Sequence, residues 1–482
     1  MYRNLYRSRL FITHTLLTFC LLLLPNLPAS ADSPQTELPP AFLQALQKAD
    51  IPISHVGLVV WPLNTSTPTL QLNANVAFNP ASTLKLVTSY AALNLLGPAY
   101  TWQTDILTDG VIQGTTLNGN LYLRGNGDPG LTDERFDVLL HELRKSGIQT
   151  INGDLIIDQH LFQSQNTPII DDHPWHAYNA LPAATLLDYD SSMVTISNLH
   201  GKIHLDIEPL PPGTHLINRI TSSASPCDEN WRDQLHTVWQ PDNQTLVFSG
   251  EYASACPNHT FAITEDAPSA LIASRFMDDW RMQGGNLTGT WREGITPDNA
   301  ISVLTFPSEP LSMMLYKQNK YSNNIMARNL FLSLSPTRPA TIAAADASIH
   351  QWLASRRLDF PELVLDNGSG LSRTAQISPN SMAQLLRDAA ISPVYPELAA
   401  SLPIYAVDGT LKRRQSAAIR ARAHLKTGTL DGVKALAGYI HQPDGNTVIV
   451  VLFINDSNAD AGNAAQDALL DAIMSPPNKE SE

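Results

Sequence analysis

The sequence predicts an α+β fold of the α/β/α type, with one antiparallel sheet built from both ends of the chain and backed by helices. Apolar runs typical of strands lie near both ends, over residues 54–72 and 421–454, and helical patterns return between residues 310 and 389. From residue 100 to about 298 the chain shows many short β runs separated by Gly, Pro and Asn turn signals. That stretch predicts a β-rich module inserted into the first domain.

The N-terminal part of the first domain predicts two helices and a strand pair, in the order Pro40–Ala49 (helix), 54–61 and 69–72 (strands), and Ser82–Leu96 (helix). Pro80 precedes the second helix and Gly97 follows it, as is usual at helix ends. We therefore assign residues 32–99 and 299–482 to this discontinuous domain. The inserted module, residues 100–298, is expected to form two subdomains with one helical piece over Asp133–Ser146.

After the module, the periodicity predicts four helices, then three strands and a last helix: Pro310–Lys317, Asn323–Ser333, Ala340–Ser355, Ser378–Ala389; Ala421–Lys426, Ala435–His441, Thr447–Ile454; Asn463–Met474. The turn between the last two strands is Pro443-Asp444-Gly445-Asn446. Strands at both ends of the chain can thus share one sheet.

The first 31 residues differ from the rest of the chain. Three arginines are followed by an apolar run from Leu10 to Leu24 and by the small residues Ala29-Ser30-Ala31. This order predicts a secretory signal peptide and a periplasmic protein. The alternative is an uncleaved membrane anchor, but the apolar run is short and prolines interrupt its end.

Charge excludes several classes of partner. Without the leader the chain carries 28 Lys and Arg against 45 Asp and Glu, a formal charge of −17. Such an acidic chain is not expected to bind nucleic acid or anionic lipid. No later stretch is long enough to span a membrane, so no transmembrane helix is expected in the mature chain.

Two cysteines, Cys227 and Cys256, follow the leader. In an oxidising compartment the simplest interpretation is a disulfide closing a loop of about 30 residues, and the alternative is two buried free thiols. No zinc-ligand spacing is present, and His173 and His176, beside Pro174, are expected to be loop residues. The sequence therefore predicts neither a metal nor another cofactor.

Ser82 and Lys85 stand three residues apart at the start of a predicted helix. Residues three apart share one helix face, so the lysine amine can reach the serine hydroxyl. A serine is a weak nucleophile unless a base activates it, and a partly desolvated lysine can be that base. A Ser-x-x-Lys spacing alone is common on ordinary helix surfaces, so the other motifs decide its meaning.

Two further motifs follow in order. Ser322-Asn323-Asn324 opens a predicted helix, and Lys426-Thr427-Gly428-Thr429 lies at the end of a predicted strand. Ser-x-x-Lys, Ser-x-Asn and Lys-Thr-Gly in this order are typical of penicillin-recognising acyl-serine enzymes. Two glycine-bearing loops accompany them, residues 366–373 and 408–414.

With roughly 240 residues between Ser82 and Ser322, and with loops reading Gly-Ser-Gly-Leu-Ser-Arg and Asp-Gly-Thr-Leu-Lys, the chain resembles the S13 peptidases. These are D-alanyl-D-alanine carboxypeptidase/endopeptidases of the penicillin-binding protein 4 type. The resemblance implies a penicillin-binding/β-lactamase-like domain that cleaves D-Ala-D-Ala, or the D-Ala–diaminopimelate cross-link, in peptidoglycan stem peptides. It also implies an acyl-enzyme that β-lactam antibiotics trap.

Each motif residue has an expected role. Ser82 attacks the carbonyl of the penultimate D-Ala while Lys85 accepts the proton. Ser322 relays a proton to the leaving amine, and Lys426 keeps the local field positive. Asn324 has a donor and an acceptor for the peptide group of the substrate.

The remaining expected roles concern binding. The backbone N–H groups of Ser82 and Thr429 are expected to form the oxyanion hole. The hydroxyls of Thr427 and Thr429 would receive the terminal carboxylate, and Gly428 lets a ligand lie close to the strand. By resemblance, Arg373 helps to bind the diaminopimelate end of the substrate.

The chain departs from the family pattern at four positions. Asn323 stands where Asp is usual, Asn367 precedes Gly368 in place of Asp, Asp431 replaces an expected neutral side chain, and His176 an expected acidic one. These changes bear on the preference for the diaminopimelate side chain rather than on the chemistry.

Other polar residues near the motifs have simpler interpretations. Solvated-face roles are expected for the cations Lys412, Arg413, Arg414 and Lys434; loop-organising hydrogen bonds for Asp366 and Asp408; and packing for Tyr90 and Tyr321. Two rival functions remain, a β-lactamase of the same superfamily and a non-catalytic cell-wall-binding scaffold. The sequence indicates neither the balance of carboxypeptidase and endopeptidase action nor the oligomeric state.

Overall fold

The computed structural model describes residues 37–164, 170–171, 175–210, 214–228, 231–240, 245–264 and 267–474. The predicted signal peptide lies outside this range, as does His173.

The described residues form helices α1 Pro40–Lys48, α2 Lys85–Leu95, α3 Asp133–Lys145, α4 Pro268–Met282, α5 Leu311–Tyr321, α6 Asn324–Ser333, α7 Ile342–Ser355, α8 Pro379–Ala390, α9 Tyr395–Ser401 and α10 Asn463–Met474. Their strands are β1 Val56–Pro62, β2 Leu70–Leu72, β3 Gln103–Thr108, β4 Val111–Gln113, β5 Thr116–Asn118, β6 Leu121–Gly125, β7 Thr150–Asn152, β8 Leu155–Asp158, β9 Ser192–Leu199, β10 Lys202–Glu208, β11 His215–Ser223, β12 Leu235–Gln240, β13 Thr245–Ala253, β14 His259–Ile263, β15 Asn286–Leu287, β16 Trp291–Glu293, β17 Ile301–Pro307, β18 Ala423–Leu430, β19 Val433–His441 and β20 Thr447–Asn455.

One five-stranded antiparallel sheet joins the two ends of the chain in the order β18-β19-β20-β1-β2. Leu58 of β1 lies opposite Leu452 of β20. Helices α2, α6, α7 and α8 pack on the face that carries Val451 and Phe453, and α1 and α10 pack on the face of Leu452 and Ile454. The predicted sheet and its helical layers are confirmed. Because helices cover both faces, β20 is apolar at consecutive positions instead of alternating.

The inserted part of the chain contains two separate apolar cores. Sheets β16-β8-β6-β3-β17 and β15-β7-β5-β4 pack with α3 and α4 around residues such as Phe136 and Phe276. Sheets β10-β9-β14 and β11-β13-β12 enclose a second core that includes Phe248. On this basis we propose two subdomains for the module. Since β17 pairs with β3, we also propose that the module extends to Pro307 rather than to residue 298.

Two helices were not predicted from the sequence. The module contains α4 in addition to α3, and α9 follows α8 in the C-terminal part. In α4, Ile272, Phe276 and Trp280 recur every four residues and are buried, a helical signal inside a stretch otherwise rich in strands. The strand carrying Lys426 is also longer than predicted, because β18 continues through the whole Lys-Thr-Gly motif to Leu430.

Cys227 and Cys256 form the predicted disulfide, with Cα atoms 4.8 Å apart. Among the described residues, no helix is both long enough and apolar enough to cross a membrane. The C-terminal α10 packs on the central sheet through Leu469 and Leu470.

Candidate active site

Ser82 lies in a tight turn rather than in the predicted continuous helix. Residues Ala81–Leu84 form one 3₁₀ turn, and α2 begins only at Lys85. Side chains three residues apart eclipse in a 3₁₀ turn, so Lys85 is directed at Ser82. Ala81 has φ of 44°, a left-handed conformation that is unfavourable for a residue with a Cβ. The backbone strain in this region is thus located next to the proposed nucleophile.

Two glycines allow neighbouring segments to approach this turn. A Cβ on Gly370 would lie 1.9 Å from the carbonyl oxygen of Ala81. A Cβ on Gly428 would lie 2.7 Å from the carbonyl oxygen of Pro80 and 3.0 Å from the backbone nitrogen of Ser82. Glycine at position 428 therefore lets β18 lie directly against the backbone of Ser82.

Lys85 is completely buried and makes three short polar contacts. Its Nζ lies 2.9 Å from Ser82 Oγ, 2.6 Å from Asn324 Oδ1 and 2.6 Å from the carbonyl oxygen of Ser369. Burial, and beyond it the positive charges of Lys426 and Arg328, keep the pKa of Lys85 well below its usual value. Lys85 is thus held beside Ser82 in an environment that favours the neutral amine.

The Ser-x-Asn motif spans the junction of α5 and α6. Ser322 directly follows α5 in a left-handed conformation, with φ of 58°, and Asn324 is the first residue of α6. The side chain of Asn323 caps α6 by accepting a hydrogen bond from the backbone N–H of Met326 at 3.0 Å. Asn323 is therefore directed away from the site and performs a capping task for which Asn suffices.

Lys426 is the second buried amine of the site. Its Nζ donates to Ser322 Oγ at 2.8 Å and to the carbonyl oxygen of Thr427 at 2.8 Å. Burial lowers the pKa of Lys426 to about 7. The site thus contains two Lys–Ser pairs.

A cavity of about 760 Å³ opens in front of these pairs. Among the predicted site residues, those that line it are Ser82, Ser322, Asn324, Arg373, Thr427, Gly428 and Thr429. The structure adds Thr410, whose hydroxyl oxygen lies 2.7 Å from that of Thr427. Asp408 organises this loop, as expected, by accepting hydrogen bonds from Lys320 Nζ and the backbone N–H of Ile404, each at 2.7 Å.

The glycine-bearing loop behind Lys85 depends on Asn367. Its Oδ1 accepts hydrogen bonds from the backbone N–H and the hydroxyl of Ser369, at 3.0 and 2.7 Å. These are bonds that a carboxylate would also accept, so the loop is held despite the replacement of Asp. Asn79, which the sequence did not single out, joins the loop to the Ser82 turn: its side chain donates to the carbonyl of Ser372 and accepts from the backbone N–H of Ala81.

Arg373 is directed along the cavity wall towards Asp431. Its Nη1 donates to the backbone carbonyl of Asp431 at 2.8 Å, and its Nη2 lies 3.8 Å from the carboxylate of that residue. Asp171 and Tyr178 line the cavity as well, and Tyr178 hydrogen-bonds to both Asp171 and His176. An acidic residue was expected at position 176, and the cavity wall has the carboxylate of Asp171 instead.

The expected surface roles are only partly correct. Lys412 and Arg413 are exposed, but Lys434 and Arg414 line the cavity. Tyr90 is buried in the core as expected, whereas the expected packing role of Tyr321 is wrong, because that side chain is 72% exposed. Tyr321 ends α5 at the surface, just before Ser322 turns inward.

The fold has three layers, α/β/α, and it brings together a Ser-x-x-Lys turn, a Ser-x-Asn junction and a Lys-Thr-Gly strand. This combination defines a penicillin-recognising serine enzyme. The chain belongs to the D-Ala-D-Ala carboxypeptidase 3 (S13) family, whose sequence profile matches residues 41–474. It is a serine-type D-Ala-D-Ala carboxypeptidase.

Relatives share most of the chain. A D-alanyl-D-alanine carboxypeptidase DacB of Haemophilus influenzae is 29% identical over 414 residues, covering 83% of this chain and 85% of the relative. The D-alanyl-D-alanine carboxypeptidase of Actinomadura sp. (strain R39) is 28% identical over 442 residues, covering 86% and 80%. The crystal structure of penicillin-binding protein 4 of H. influenzae complexed with a novel β-lactam has a TM-score of 0.75 and 26% identity, covering 90% of this chain and 99% of that one.

Proposed function

We propose that Ser82 is the nucleophile and Lys85 its general base in hydrolysis of the peptide bond that follows the penultimate D-Ala of a stem peptide. The observation that carries this proposal is the 2.9 Å separation of Lys85 Nζ and Ser82 Oγ at a fully buried amine. A neutral lysine has two N–H bonds and one lone pair. Donation to Asn324 Oδ1 and to the Ser369 carbonyl uses both N–H bonds and leaves the lone pair for the Ser82 hydroxyl proton.

Acylation then proceeds in two steps. Ser82 Oγ bonds to the carbonyl carbon as its proton passes to Lys85, and the negative charge on the carbonyl oxygen is received by the N–H groups of Ser82 and Thr429. The C–N bond breaks, and the proton that Lys85 took from Ser82 passes to the leaving amine through the Ser322 hydroxyl, which Lys426 holds at 2.8 Å, so that Lys85 becomes neutral again. Water, activated by Lys85, hydrolyses the resulting ester and regenerates Ser82.

The cavity supports more than one substrate. In a D-Ala-D-Ala terminus and in a D-Ala–diaminopimelate cross-link, the leaving nitrogen is attached to a carbon that carries a carboxylate. The Thr427 and Thr429 hydroxyls would receive that group in both cases. A cavity of about 760 Å³ has room for either leaving group, so the proposal includes endopeptidase as well as carboxypeptidase action.

We further infer that β-lactams acylate Ser82, since a relative's structure contains one. The test is the intact mass of the purified protein with and without benzylpenicillin, for the native chain, Ser82→Ala and the exposed-turn control Ser66→Ala. One penicillin should add to the native chain and to the control but not to Ser82→Ala. Consumption of penicillin without an adduct would indicate a β-lactamase, and untouched penicillin would contradict the catalytic proposal.

Substrate range is tested with two purified muropeptides, a monomer ending in D-Ala-D-Ala and a dimer joined through D-Ala–diaminopimelate. We expect release of D-Ala from the first and of two monomers from the second, each abolished by Ser82→Ala. An intact dimer alongside a trimmed monomer would restrict the function to carboxypeptidase action.

The proposed location is the periplasm, reached through a signal peptide over residues 1–31, with a leader-like sequence as the support. Mass spectrometry of the protein recovered from a periplasmic extract should give an N-terminus at Asp32. A retained Met1 in a membrane fraction would favour the anchor instead.

A further inference from the structure

We propose that Lys434, held in place by Asp460, binds the carboxylate of the leaving group and so selects leaving groups that carry this charge. This inference rests on the proposed function of Ser82 and adds a specificity-determining residue to it. Lys434 belongs to none of the three motifs, and its expected role was that of a solvated cation.

The strand register places Lys434 beside the two threonines. In the β18–β19 ladder Thr429 lies directly opposite Lys434, and cross-strand partners project from the same face of a sheet. Thr427, two residues before Thr429, projects from that face too. The Nζ of Lys434 lies 3.4 Å from Thr429 Oγ1, so its ammonium group and the hydroxyl that would bind the carboxylate face the same point.

Lys434 is held by its surroundings. Its side chain is only 14% exposed, and its Nζ lies 3.0 Å from Asp460 Oδ1. Asp460, by contrast, is 79% exposed. A carboxylate in water pairs weakly with a cation, so Asp460 orients the ammonium group without removing its attraction for a second anion.

The neighbouring cation, Arg414, is already engaged. Its guanidinium contacts the side chains of Asn463, Gln466 and Asp467 and the backbone carbonyl of Asn463. Lys426 is occupied by Ser322 and the Thr427 carbonyl. Of the cations lining the described cavity wall at this end, Lys434 is therefore the one best placed to meet an incoming anion.

The inference has a kinetic signature. The leaving group departs during acylation, so its carboxylate can affect formation of the acyl-enzyme but not hydrolysis of that ester. Loss of Lys434 should lower kcat/KM for substrates with the carboxylate and leave the deacylation rate constant unchanged. A structural role would lower both.

The experiment uses two N-acyl-D-alanyl thioesters that give the same acyl-enzyme, one releasing thioglycolate and the other its neutral amide, thioglycolamide. In Lys434→Met, kcat/KM for the thioglycolate ester should fall by about 10- to 100-fold, the range of a charge-assisted hydrogen bond, with the amide ester unchanged within about twofold. Lys434→Arg should keep most of the preference. Lys412→Met, an exposed lysine outside the cavity, is the matched control and should behave as the native chain.

Equal losses on both esters, or no loss on either, would overturn the assignment of Lys434. A native chain that cleaves neither ester, like Ser82→Ala, would instead overturn the proposed function. If Lys434→Met unfolds, Lys434→Arg is compared with the native chain instead. A role of the cation predicts that the ratio of kcat/KM between the two esters is retained in Lys434→Arg. A purely steric role predicts that this ratio is lost.

Discussion

Lys426 Nζ donates a hydrogen bond to Ser322 Oγ at 2.8 Å, although the two residues lie 104 positions apart in the chain. The contact joins the edge strand of the central sheet to the junction of α5 and α6. Together with the Lys85–Ser82 contact it gives the site two buried amines, and burial, followed by the positive charge of Lys426, lowers the pKa of Lys85.

Replacing Lys85 should slow acylation strongly at every pH. We expect Lys85→Met to lower the rate constant for acylation by benzylpenicillin by about 10²- to 10⁴-fold, the usual contribution of a general base. Lys85→Arg should fail as well, because a guanidinium does not lose its proton. In the native chain the rate should rise with pH through a pKa below the ordinary lysine value of about 10.4, as stopped-flow acylation can measure. Substantial activity of Lys85→Arg would contradict the base assignment.

The pKa of Lys426, about 7, predicts how stability depends on pH. Between pH 7 and the unfolded value of about 10.4, the unfolded state binds the proton that folded Lys426 has lost, so the free energy of unfolding rises with pH. To remove the other amine, we compare Lys85→Met with Lys85→Met/Lys426→Met by denaturant unfolding. From pH 7 to pH 9, the unfolding free energy of Lys85→Met should rise by about 2 kcal/mol relative to that of the double variant. If the unfolding free energies of both variants changed equally with pH, the lowered pKa of Lys426 would be contradicted.

Gly428→Ala should damage the reaction more than the fold. The added Cβ would meet the Pro80 carbonyl and the Ser82 backbone nitrogen and displace the nucleophile. We expect about a 10²-fold slower acylation by benzylpenicillin. Gly445→Ala, in the β19–β20 hairpin with φ of 91° and open space around it, is the control: it should cost about 1 kcal/mol of stability with acylation unchanged.

Asp431→Asn should change the preference at the third stem-peptide residue. It removes the carboxylate that faces the Arg373 guanidinium at 3.8 Å and leaves the backbone contact intact. Cleavage of a diaminopimelate substrate, whose side chain ends in a carboxylate, should gain several-fold in kcat/KM over its lysine analogue. An unchanged ratio would place the side chain of the third residue away from Arg373, and Arg373→Ala would then have no effect on that ratio either.

Removing the disulfide should affect the module but not the chemistry. The bond joins residues 29 positions apart, so the double variant Cys227→Ser/Cys256→Ser should lose about 3–4 kcal/mol of stability by the loop-entropy account. Acylation by benzylpenicillin at a temperature below the transition should be unaffected. A slower acylation in a folded variant would show that the module contributes to the site.

The residues of the three motifs could be picked out from the sequence because each motif is local. Ser82 and Lys85 lie within one turn, and Lys426, Thr427 and Gly428 lie on one strand, so spacing alone relates them. The helix of Ser82 was predicted without its 3₁₀ turn, which lies against Gly370 and Gly428 from distant parts of the chain that spacing does not reveal.

The residues that sequence analysis missed act across long separations. Asn79 bonds to Ser372, Thr410 to Thr427, and Asp171 enters the cavity from the inserted module. Each is an ordinary loop residue until the fold brings its partner close. Lys434 was seen but given a solvated role, because only the register of β18 against β19 places it beside Thr429.

Because β1 pairs with β20, the central sheet and its active site can be completed only after the later strands have been synthesised. Lys426 and β20, which pairs with β1, are synthesised long after the turn that carries Ser82. The residues of the two apolar cores in the inserted part are synthesised in between. A nascent chain is therefore expected to stay catalytically silent until β20 has been made, and a chain terminated before Lys426 is expected to acquire no activity.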